Sequence, residues 1–381
     1  MCTPETDVGQ ASPSFAVEAR KRCQTWPTLH FALNRMSDNE PWLSILVPVH
    51  NGAAYLAQCL ESIIDQAMSG IEIIVLDDAS TDDPTSLVLP LQRRCAPGLR
   101  MISHPVNRGV AVARNHLLQE ARGRYVWFID ADDMLRPGAL QGLRTLLQTQ
   151  SPDLVMCDFR VLREPARWKH RLRGEFHRHT FAGPARRTCH DRSVLVAGLL
   201  VRGQLHPWSK IAKREIWQSV RFPDARYFED IAVMPQLIEK VRTYHYVPET
   251  WIAYRQHDAS ILARYSAEKM RHLIEALREV HCALPGPHGM LSEEATFSVQ
   301  HFFLKSHASM ARRIARGEFA QAAELTSLLR ANLDAMFPAG VDPILRAYRR
   351  RGWLLRAMRA RASLRRVGLY AAGARPSHRP S

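Results

Sequence analysis

The fold of this chain is decided by the stretch Tyr125–Asp133, which reads YVWFIDADD. Its first five residues are apolar and largely aromatic or β-branched, a pattern typical of a strand buried on both faces. Asp130, Asp132 and Asp133 follow at once, and carboxylates this close repel one another unless a cation or water surrounds them. The three acids could also belong to an ordinary turn that is exposed to water. Because open α/β sheets bind ligands at the carboxyl ends of buried strands, we interpret the acids as the metal-binding centre of an active site.

On both sides of this stretch, buried strands alternate with amphipathic helices. Alternation of this kind, with helices of ten to fifteen residues, predicts βαβ units, a mostly parallel sheet and an α/β fold. Apolar residues spaced by three and four predict helices at 56–64, 110–121 and 140–147. The further predicted strands are Leu43–Val49, Ile71–Leu76, Arg100–Ser103 and Leu154–Cys157.

A second predicted strand also ends in acids, at Asp77 and Asp78. In a parallel sheet these acids and those after Ile129 lie on one edge, beside the turn His50–Gly52 that follows the first strand. This arrangement indicates a nucleotide-binding half-sheet with a metal at its mouth. No strand is followed by Gly-x-Gly-x-x-Gly or by Gly-x-x-x-x-Gly-Lys-Ser/Thr, so dinucleotide-binding and P-loop proteins are not supported.

Four blocks in order carry a resemblance to a known family. They read ILVPVHNG (residues 45–52), IIVLDDASTD (73–82), NRG with ARN (107–109 and 113–115), and DADD (130–133). Together they strongly resemble the family 2 glycosyltransferases of the GT-A fold, over residues 43–150. A looser match runs to residue 262 through HPWSK (206–210), RFP (221–223), FED (228–230) and YR (254–255), and is similar to the acceptor half of bacterial enzymes that build capsule, lipopolysaccharide or exopolysaccharide.

The resemblance implies roles for particular residues. It implies a nucleotide-diphospho-sugar donor, with a UDP-sugar as the first expectation, and Mn²⁺ or Mg²⁺ as cofactor. Two positions depart from the family pattern: His50 stands where Tyr is frequent, and Ala79 where Gly is frequent. Pro48 and His50 are implied to contact the nucleotide base, and Asp78 to accept a hydrogen bond from the uracil ring. Arg108 is implied to lie in the loop near the diphosphate. Asp130 and Asp132 are implied to hold the ribose and the metal, Asp133 is a third acid of the metal site, and Glu229 and Asp230 form the acidic pair that contains the catalytic base.

The chemistry of sugar transfer fits these residue types. Hard divalent cations bind through one or two carboxylates plus substrate phosphates, and such a cation stabilises the leaving diphosphate. The acceptor hydroxyl then needs a base, for which the family pattern favours Asp230, with inversion at the sugar carbon. Tyr227 and Phe228 precede the pair, and their burial is expected to raise the pKa of the base.

Several of these residues also have a simpler, purely structural interpretation. Glu229 and Asp230 are also what a helix N-terminus favours. Trp208 and Lys210 are candidate acceptor contacts, or a core residue and a solvated charge respectively. Two other classes of function compete: a sugar-phosphate nucleotidyltransferase, which normally needs a Gly-rich basic loop after the first strand, and a non-catalytic protein that binds nucleic acid or membrane.

The net charge of +15 is concentrated at one end of the 381-residue chain. Residues 341–381 contain eleven Arg and one acid, and so account for +10. This segment is predicted to form a basic amphipathic helix over 344–370 that lies on an anionic membrane. The alternatives are a nucleic-acid patch, which is not expected, and a solvated basic tail with no partner. The predicted organisation is a low-order extension (1–40), a GT-A domain (41–262), a helical region (263–340) and an Arg-rich tail (341–381).

The seven cysteines are scattered and contain no Cys-x-x-Cys pair. Reduced thiols in a cytoplasmic protein are the simplest interpretation. The N-terminus lacks the features of a signal peptide, and no apolar run is long enough to span a bilayer. The expected location is the cytoplasm, with a peripheral position on the inner face of the membrane if the tail binds lipid. The acceptor is then a glycan or a lipid-linked sugar.

Overall fold

A computed structural model describes residues 40–95, 98–163, 176–256, 265–284 and 291–370. The predicted low-order extension, apart from Glu40, lies outside these ranges. The strands of the described residues are Leu43–Val49 (β1), Ile71–Asp77 (β2), Leu99–Ser103 (β3), Tyr125–Phe128 (β4), Met134–Leu135 (β5), Leu154–Arg163 (β6), His177–Arg178 (β7), Thr188–Cys189 (β8), Lys210–Lys213 (β9) and Tyr244–Gln256 (β10).

The same described ranges contain twelve α-helices. They are Ala53–Ile64 (α1), Pro84–Arg94 (α2), Val110–Glu120 (α3), Ala139–Thr149 (α4), Arg192–Arg202 (α5), Arg214–Gln218 (α6), Glu229–Lys240 (α7), Ala267–Ala283 (α8), Glu293–Ile314 (α9), Ala322–Met336 (α10), Asp342–Arg350 (α11) and Leu354–Arg366 (α12); a 3₁₀ turn spans Pro207–Ser209. None of the helices described is long and apolar enough to cross a membrane.

The strands form one sheet in the order β3-β2-β1-β4-β9-β6-β10-β5, with β7 beside β6 and β8 beside β10. The half from β3 to β4 is parallel, as predicted. The prediction of a mostly parallel sheet is confirmed, although the other half of the sheet combines parallel and antiparallel pairs. There β9 runs antiparallel between β4 and β6, and β10 pairs with β5 and β8 antiparallel but with β6 parallel.

Alternate residues of the central strands face two different apolar layers. Ile45 and Trp127 pack in the layer that contains α1, α2 and α4, whereas Leu46 and Phe128 pack in the layer that contains α3 and the later helices. Period-two alternation in a strand covered on both faces requires both sets to be apolar. The continuous apolar run after Arg124 is therefore explained, and the prediction of a strand buried on both faces is confirmed.

The C-terminal helices share the second of these layers with the sheet. The helices α8, α9 and α10 lie in the region 263–340 that the sequence predicted to be helical. The prediction of one amphipathic helix over 344–370 is wrong, because Gly352 (φ 72°) ends α11 and the Trp353 N–H closes the turn on the Tyr348 carbonyl at 2.8 Å. Ile344, Leu345 and Leu364 are buried. The described part of the basic segment is thus two packed helices, while the domain boundaries at 262 and 340 stay predictions.

Candidate active site

The turns after β1 and β2 are joined by hydrogen bonds. Asn51 Oδ1 accepts from the Thr81 N–H at 2.8 Å, and the Asn51 N–H donates to Ser80 Oγ at 2.9 Å. His50 Nδ1 donates to the Asp78 carbonyl oxygen at 2.9 Å, which fixes the tautomer of the ring. The ends of the two strands are therefore held as one surface, with the His50 ring exposed upon it.

The Asp78 carboxylate is buried and holds the loop that begins α3. Its Oδ1 accepts from the Arg108 N–H at 2.9 Å and from His104 Nδ1 at 2.7 Å, and its Oδ2 accepts from the Gly109 N–H at 2.7 Å. A carboxylate offers about four acceptor positions, so the protein takes three of them. Asp78 is thus first an anchor for the loop, and it retains about one position for a base.

The predicted nucleotide contacts lie at this edge but differ in exposure. The Arg108 side chain is exposed at the tip of the loop, as a diphosphate contact requires. Pro48 is different, because it is buried inside β1 and paired in register with Leu76. A base contact by Pro48 would have to involve the end of the strand rather than an open ring surface.

The turn after β4 contains three acids in unequal environments. Asp130 and Asp132 are half-buried, whereas Asp133 is fully buried. Asp133 Oδ1 accepts from the Arg255 N–H at 2.9 Å, and Arg255 Nε donates to the Asp132 carbonyl at 3.1 Å. Asp133 Oδ2 is buried without a hydrogen-bond partner among the described residues. Burial, together with the charges of the two neighbouring acids, raises the pKa of Asp133 well above its ordinary value.

These acids fit a hard divalent cation. A partnerless buried carboxylate oxygen and a strongly raised pKa both indicate negative charge without enough compensation. Among the described side chains, three ligand atoms within 4.8 Å of one another occur at another place, not at this turn. Mg²⁺ and Mn²⁺ do not require such a set, because they bind through one or two carboxylates plus phosphate and water.

Arg114 connects this acidic turn to a segment more than a hundred residues later. Its Nη2 lies 3.0 Å from Asp130 Oδ1, and its Nη1 lies 2.5 Å from Glu229 Oε1. Burial alone would lower the pKa of Arg114, but the charges of Asp130 and Glu229 raise it above its ordinary value. The guanidinium is therefore permanently charged, and it sets the distance between the predicted donor acids and the predicted base pair.

The predicted base pair begins α7. Phe228 precedes it in a left-handed backbone conformation (φ 63°), which is rare for a bulky residue and costs on the order of 1–3 kcal/mol. This turn directs Glu229 to Arg114, while Asp230 Oδ2 lies 3.5 Å from His206 Nδ1. Both predictions for this pair are thus compatible: the acids occupy a helix N-terminus and also lie at the candidate site.

The two acids of the pair differ in pKa. Burial raises the pKa of Glu229 above its ordinary value, because the opposing effect of Arg114 is partly cancelled by the charge of Asp230. Burial also acts to raise the pKa of Asp230, but the hydrogen bond and charge of His206 and the charge of Arg114 outweigh it, and the pKa is lowered. The expectation of a raised pKa is wrong for Asp230, which is ionised at neutral pH.

Trp208 and Lys210, predicted as acceptor contacts, are only 2% and 0% exposed. The Trp208 ring packs against both His206 (centroids 4.8 Å apart) and Tyr254 (5.5 Å), and these two rings lie 6.3 Å from each other. Lys210 Nζ donates to the Gln204 and His206 carbonyls, both at 2.9 Å. Neither side chain offers surface to an acceptor, and the alternative of a solvated lysine is also wrong. Both residues support the turn that carries His206.

Four residues of the site were given no role by the sequence. Arg114, His206 and Arg255 lie within the sequence blocks that resemble the family. The resemblance therefore drew attention to these positions, but it did not predict which side chains they contact. His104 carries no motif, and its bond to Asp78 becomes visible only when β2 and β3 are paired. Each of these contacts joins segments distant in the sequence, for which no local pattern exists.

Comparison with known proteins gives a consistent result. Residues 44–199 match the family model described as glycosyl transferase family 2. The chain is 27% identical over 224 residues to the uncharacterized glycosyltransferase YibD of Escherichia coli, covering 58% of this chain and 62% of YibD. It is 29% identical to the putative glycosyltransferase EpsH of Bacillus subtilis, covering 68% of this chain and 75% of EpsH. The chain thus spans less than two thirds of YibD.

Among solved structures, the fold is similar to that of TarS residues 1–349 from S. aureus in complex with UDP-GlcNAc. The TM-score is 0.64 at 17% identity, and the alignment covers 85% of this chain and 91% of the TarS chain. At this identity the likeness concerns the fold alone. It identifies the mixed sheet with flanking helices as a GT-A fold, which a C-terminal helical region follows.

Proposed function

This chain carries a family 2 glycosyltransferase domain of the GT-A fold, and from that premise we propose that it transfers a sugar from a nucleotide-diphospho-sugar to a hydroxyl group. The proposed donor is a UDP-sugar. The proposed acceptor is a glycan or a lipid-linked sugar of a cell-surface polysaccharide, and the proposed stereochemical outcome is inversion.

One observation carries the proposal: a single buried guanidinium joins the two halves of the site. Arg114 bonds to Asp130, on the predicted donor side, and to Glu229, beside the predicted base. A transferase that inverts needs its leaving-group site and its base on opposite sides of one sugar carbon. The bridging contact places Asp130 and Glu229 at the two nitrogens of one guanidinium, so the proposed donor acids and the proposed base pair lie beside each other.

The donor site is proposed at the edge formed by β1, β2 and β4. Asp132, with Asp130, would hold Mn²⁺ or Mg²⁺, which supplies Lewis-acid stabilisation of the leaving diphosphate when bound. The exposed Arg108 faces the solvent side of this edge and supplies a further positive charge. His50 offers a flat exposed ring for stacking on the base. The likeness of the fold to TarS in complex with UDP-GlcNAc supports a UDP-sugar as the donor.

Asp230 is proposed as the base that takes the proton from the acceptor hydroxyl. Its carboxylate is ionised at neutral pH and lies against His206 rather than being neutralised by a short ion pair. Glu229, in contrast, is fixed by Arg114 and is more deeply buried. We assign Glu229 to positioning and Asp230 to proton transfer.

The experiment compares variants in UDP release and in UDP binding. A panel of UDP-sugars and GDP-mannose is first screened with MnCl₂ for turnover or slow hydrolysis. Asp230→Asn should then lower kcat by about 100-fold or more, the usual scale for loss of a general base, while UDP affinity measured by titration calorimetry persists. Asp132→Asn should instead abolish Mn²⁺-dependent UDP binding.

Glu229→Gln is the matched control for Asp230→Asn, because it removes one charge from the neighbouring residue. It should reduce kcat less than Asp230→Asn at equal melting temperature. A larger loss for Glu229→Gln would move the base to Glu229. Full activity in both variants, or unchanged Mn²⁺-dependent turnover in Asp132→Asn, would overturn the proposed mechanism.

The C-terminal helices are proposed to place the enzyme on an anionic membrane surface, where a lipid-linked acceptor would lie. Leu354, Leu355 and Met358 are 56%, 65% and 65% exposed. They form an apolar patch at the start of α12, on a helix with several Arg and no acid. Apolar side chains ringed by arginines are suited to the boundary between lipid headgroups and acyl chains.

A further inference from the structure

Two histidines lie side by side, one on the short strand β7 and one directly after it. His177 belongs to β7, which pairs antiparallel with β6 through Arg160↔His177 and Phe159↔Arg178. His179 follows two positions later. Because side chains two apart on an extended chain lie on the same face of the sheet, both imidazoles lie on the face that also carries Asp158 of β6.

Both imidazoles meet one oxygen of a buried carboxylate. Asp158 on β6 is fully buried, and its Oδ2 lies 2.8 Å from His177 Nε2 and 2.7 Å from His179 Nδ1. Its Oδ1 is held separately, by the Thr180 N–H and the Tyr246 hydroxyl, both at 2.9 Å. The carboxylate is therefore fixed through one oxygen and presents the other to the two rings.

The three ligand atoms converge and are reachable from solvent. The two nitrogens and Asp158 Oδ2 all lie within 4.8 Å of one another. The side chains of His177 and His179 are 45% and 47% exposed, and His177 also borders a surface cleft lined by Arg136 and Glu249. The buried carboxylate thus forms the floor of the cluster, and the imidazoles form its rim.

We propose that Asp158, His177 and His179 bind a zinc ion, at a site separate from the aspartate turn after β4. Two imidazole nitrogens and one carboxylate oxygen form a common zinc donor set, which leaves a fourth position for water or another ligand. Imidazole suits zinc, copper, iron and nickel but not Mg²⁺, so this donor set differs in kind from the acids of the candidate active site. The hydrogen bonds to Asp158 Oδ1 are the outer-shell support that such carboxylates usually have.

The geometry requires only a small opening to admit the ion. Tetrahedral zinc with bonds near 2.1 Å separates its ligand atoms by about 3.4 Å, compared with 2.7 and 2.8 Å between Asp158 Oδ2 and the two nitrogens. The exposed imidazoles can move outward while the buried carboxylate stays fixed. Hydrogen bonds alone also satisfy Asp158, so occupancy by metal is what the experiment must decide.

Zinc at this site would strengthen the strand that supports the candidate base. Phe159 follows Asp158 and points to the opposite face of β6, where its ring packs edge-on against Trp208 (centroids 4.8 Å apart) and His206 (6.3 Å). The ion would therefore act as a structural clamp on β6 and β7, and its binding does not depend on sugar transfer.

The test uses the full chain without a histidine tag, dialysed against ZnCl₂ and then against metal-free buffer. Zinc per chain is measured by mass spectrometry, and affinity by titration calorimetry. His177→Ala and His179→Ala should each lose one equivalent or bind it at least tenfold more weakly, and should lose the rise in Tm that zinc gives the wild type. His190→Ala, which removes an exposed histidine outside the cluster, and Asp132→Asn should both retain that equivalent.

A second measurement covers variants that fail to fold. Wild-type protein loaded with Co²⁺ should give the visible spectrum of a tetrahedral nitrogen and oxygen site. An intense thiolate charge-transfer band would place the metal on cysteine and overturn the proposal. Equal zinc content in wild type and both histidine variants, or no bound zinc in the wild type, would show that the cluster is held by hydrogen bonds only. None of these outcomes bears on the glycosyltransferase proposal.

Discussion

Ala79 adopts a left-handed backbone conformation (φ 57°) in the turn after β2. An L-residue with a Cβ atom pays about 1–2 kcal/mol for this conformation, which accounts for the glycine that the family often has at this position. Replacement by glycine relieves that strain but increases the entropy lost on folding by about 0.5–1 kcal/mol. The strain is the larger of the two effects.

Ala79→Gly should therefore raise the free energy of unfolding by up to about 1 kcal/mol, measured by urea denaturation. Ala331→Gly is the control, because Ala331 is exposed in the middle of α10 with ordinary helical geometry. That control should lower stability by about 1 kcal/mol. Destabilisation in both variants would mean that the turn is not strained at Ala79.

At the scale of single residues, the sequence marks the acids but not their partners. Asp130 and Asp132 were identifiable because three carboxylates directly after a buried strand are unusual. Their tie to Glu229 through Arg114 was not identifiable, because 115 residues separate Arg114 from Glu229 and only tertiary packing brings them together. The environment of Asp230 was mispredicted for the same reason, since His206 lies on another turn.

Among the elements, the turn from Gln204 to Lys210 has an electrostatic cost. Lys210 is wholly buried, and burial lowers its pKa from 10.5 to about 7, against the smaller opposing effects of Asp230 and Cys157. The unfolded chain therefore binds one proton more than the folded protein between about pH 7 and pH 10. In that window stability rises with pH because of this residue, by up to about 1.4 kcal/mol per pH unit.

The stability difference between wild type and Lys210→Met should thus grow in favour of wild type by about 2 kcal/mol between pH 7 and pH 9. Below pH 7 the lysine is protonated in both states, and the difference should become flat. Urea denaturation at pH 6, 7, 8 and 9 measures it. Ser209→Ala, which removes only the hydroxyl that accepts from Lys210 Nζ, should keep the wild-type slope. If the stability difference between the two proteins does not change with pH, burial does not lower the pKa of Lys210.

The elements themselves were predictable where burial imposes a continuous apolar pattern. β1, β2 and β4 are such strands, and the helices between them follow an apolar spacing of three and four. β9 was not predicted, because its four residues read KIAK and begin and end with lysine. Its antiparallel direction has no local signal, since periodicity records which face is buried and not which way the strand runs.

For the whole molecule, the basic C-terminal segment is part of the fold as well as of the charge distribution. Leu345, Tyr348 and Leu364 are buried in the same apolar layer as Leu46 and Phe128 of the sheet. The charge of this segment could be read from the sequence. Its contribution to the apolar core could not be predicted. Deleting 341–381 would consequently remove core contacts along with the arginines, so the proposed membrane binding has to be tested by surface substitution.

Leu355→Ser with Met358→Ser is the appropriate variant, because both side chains are 65% exposed and their loss should leave Tm nearly unchanged. Wild-type protein should co-sediment with vesicles that contain anionic lipid, and the double variant should bind them at least about tenfold more weakly, since burial of each side chain is worth about 1.5–3 kcal/mol. Leu328→Ser, on α10, removes a 40% exposed leucine outside the patch and should bind like wild type. Equal binding of the vesicles by all three proteins would show that the apolar patch does not contribute and that charge alone attracts the protein to the vesicles. Indifference to anionic vesicles combined with salt-sensitive binding to duplex DNA would assign the arginines to nucleic acid instead.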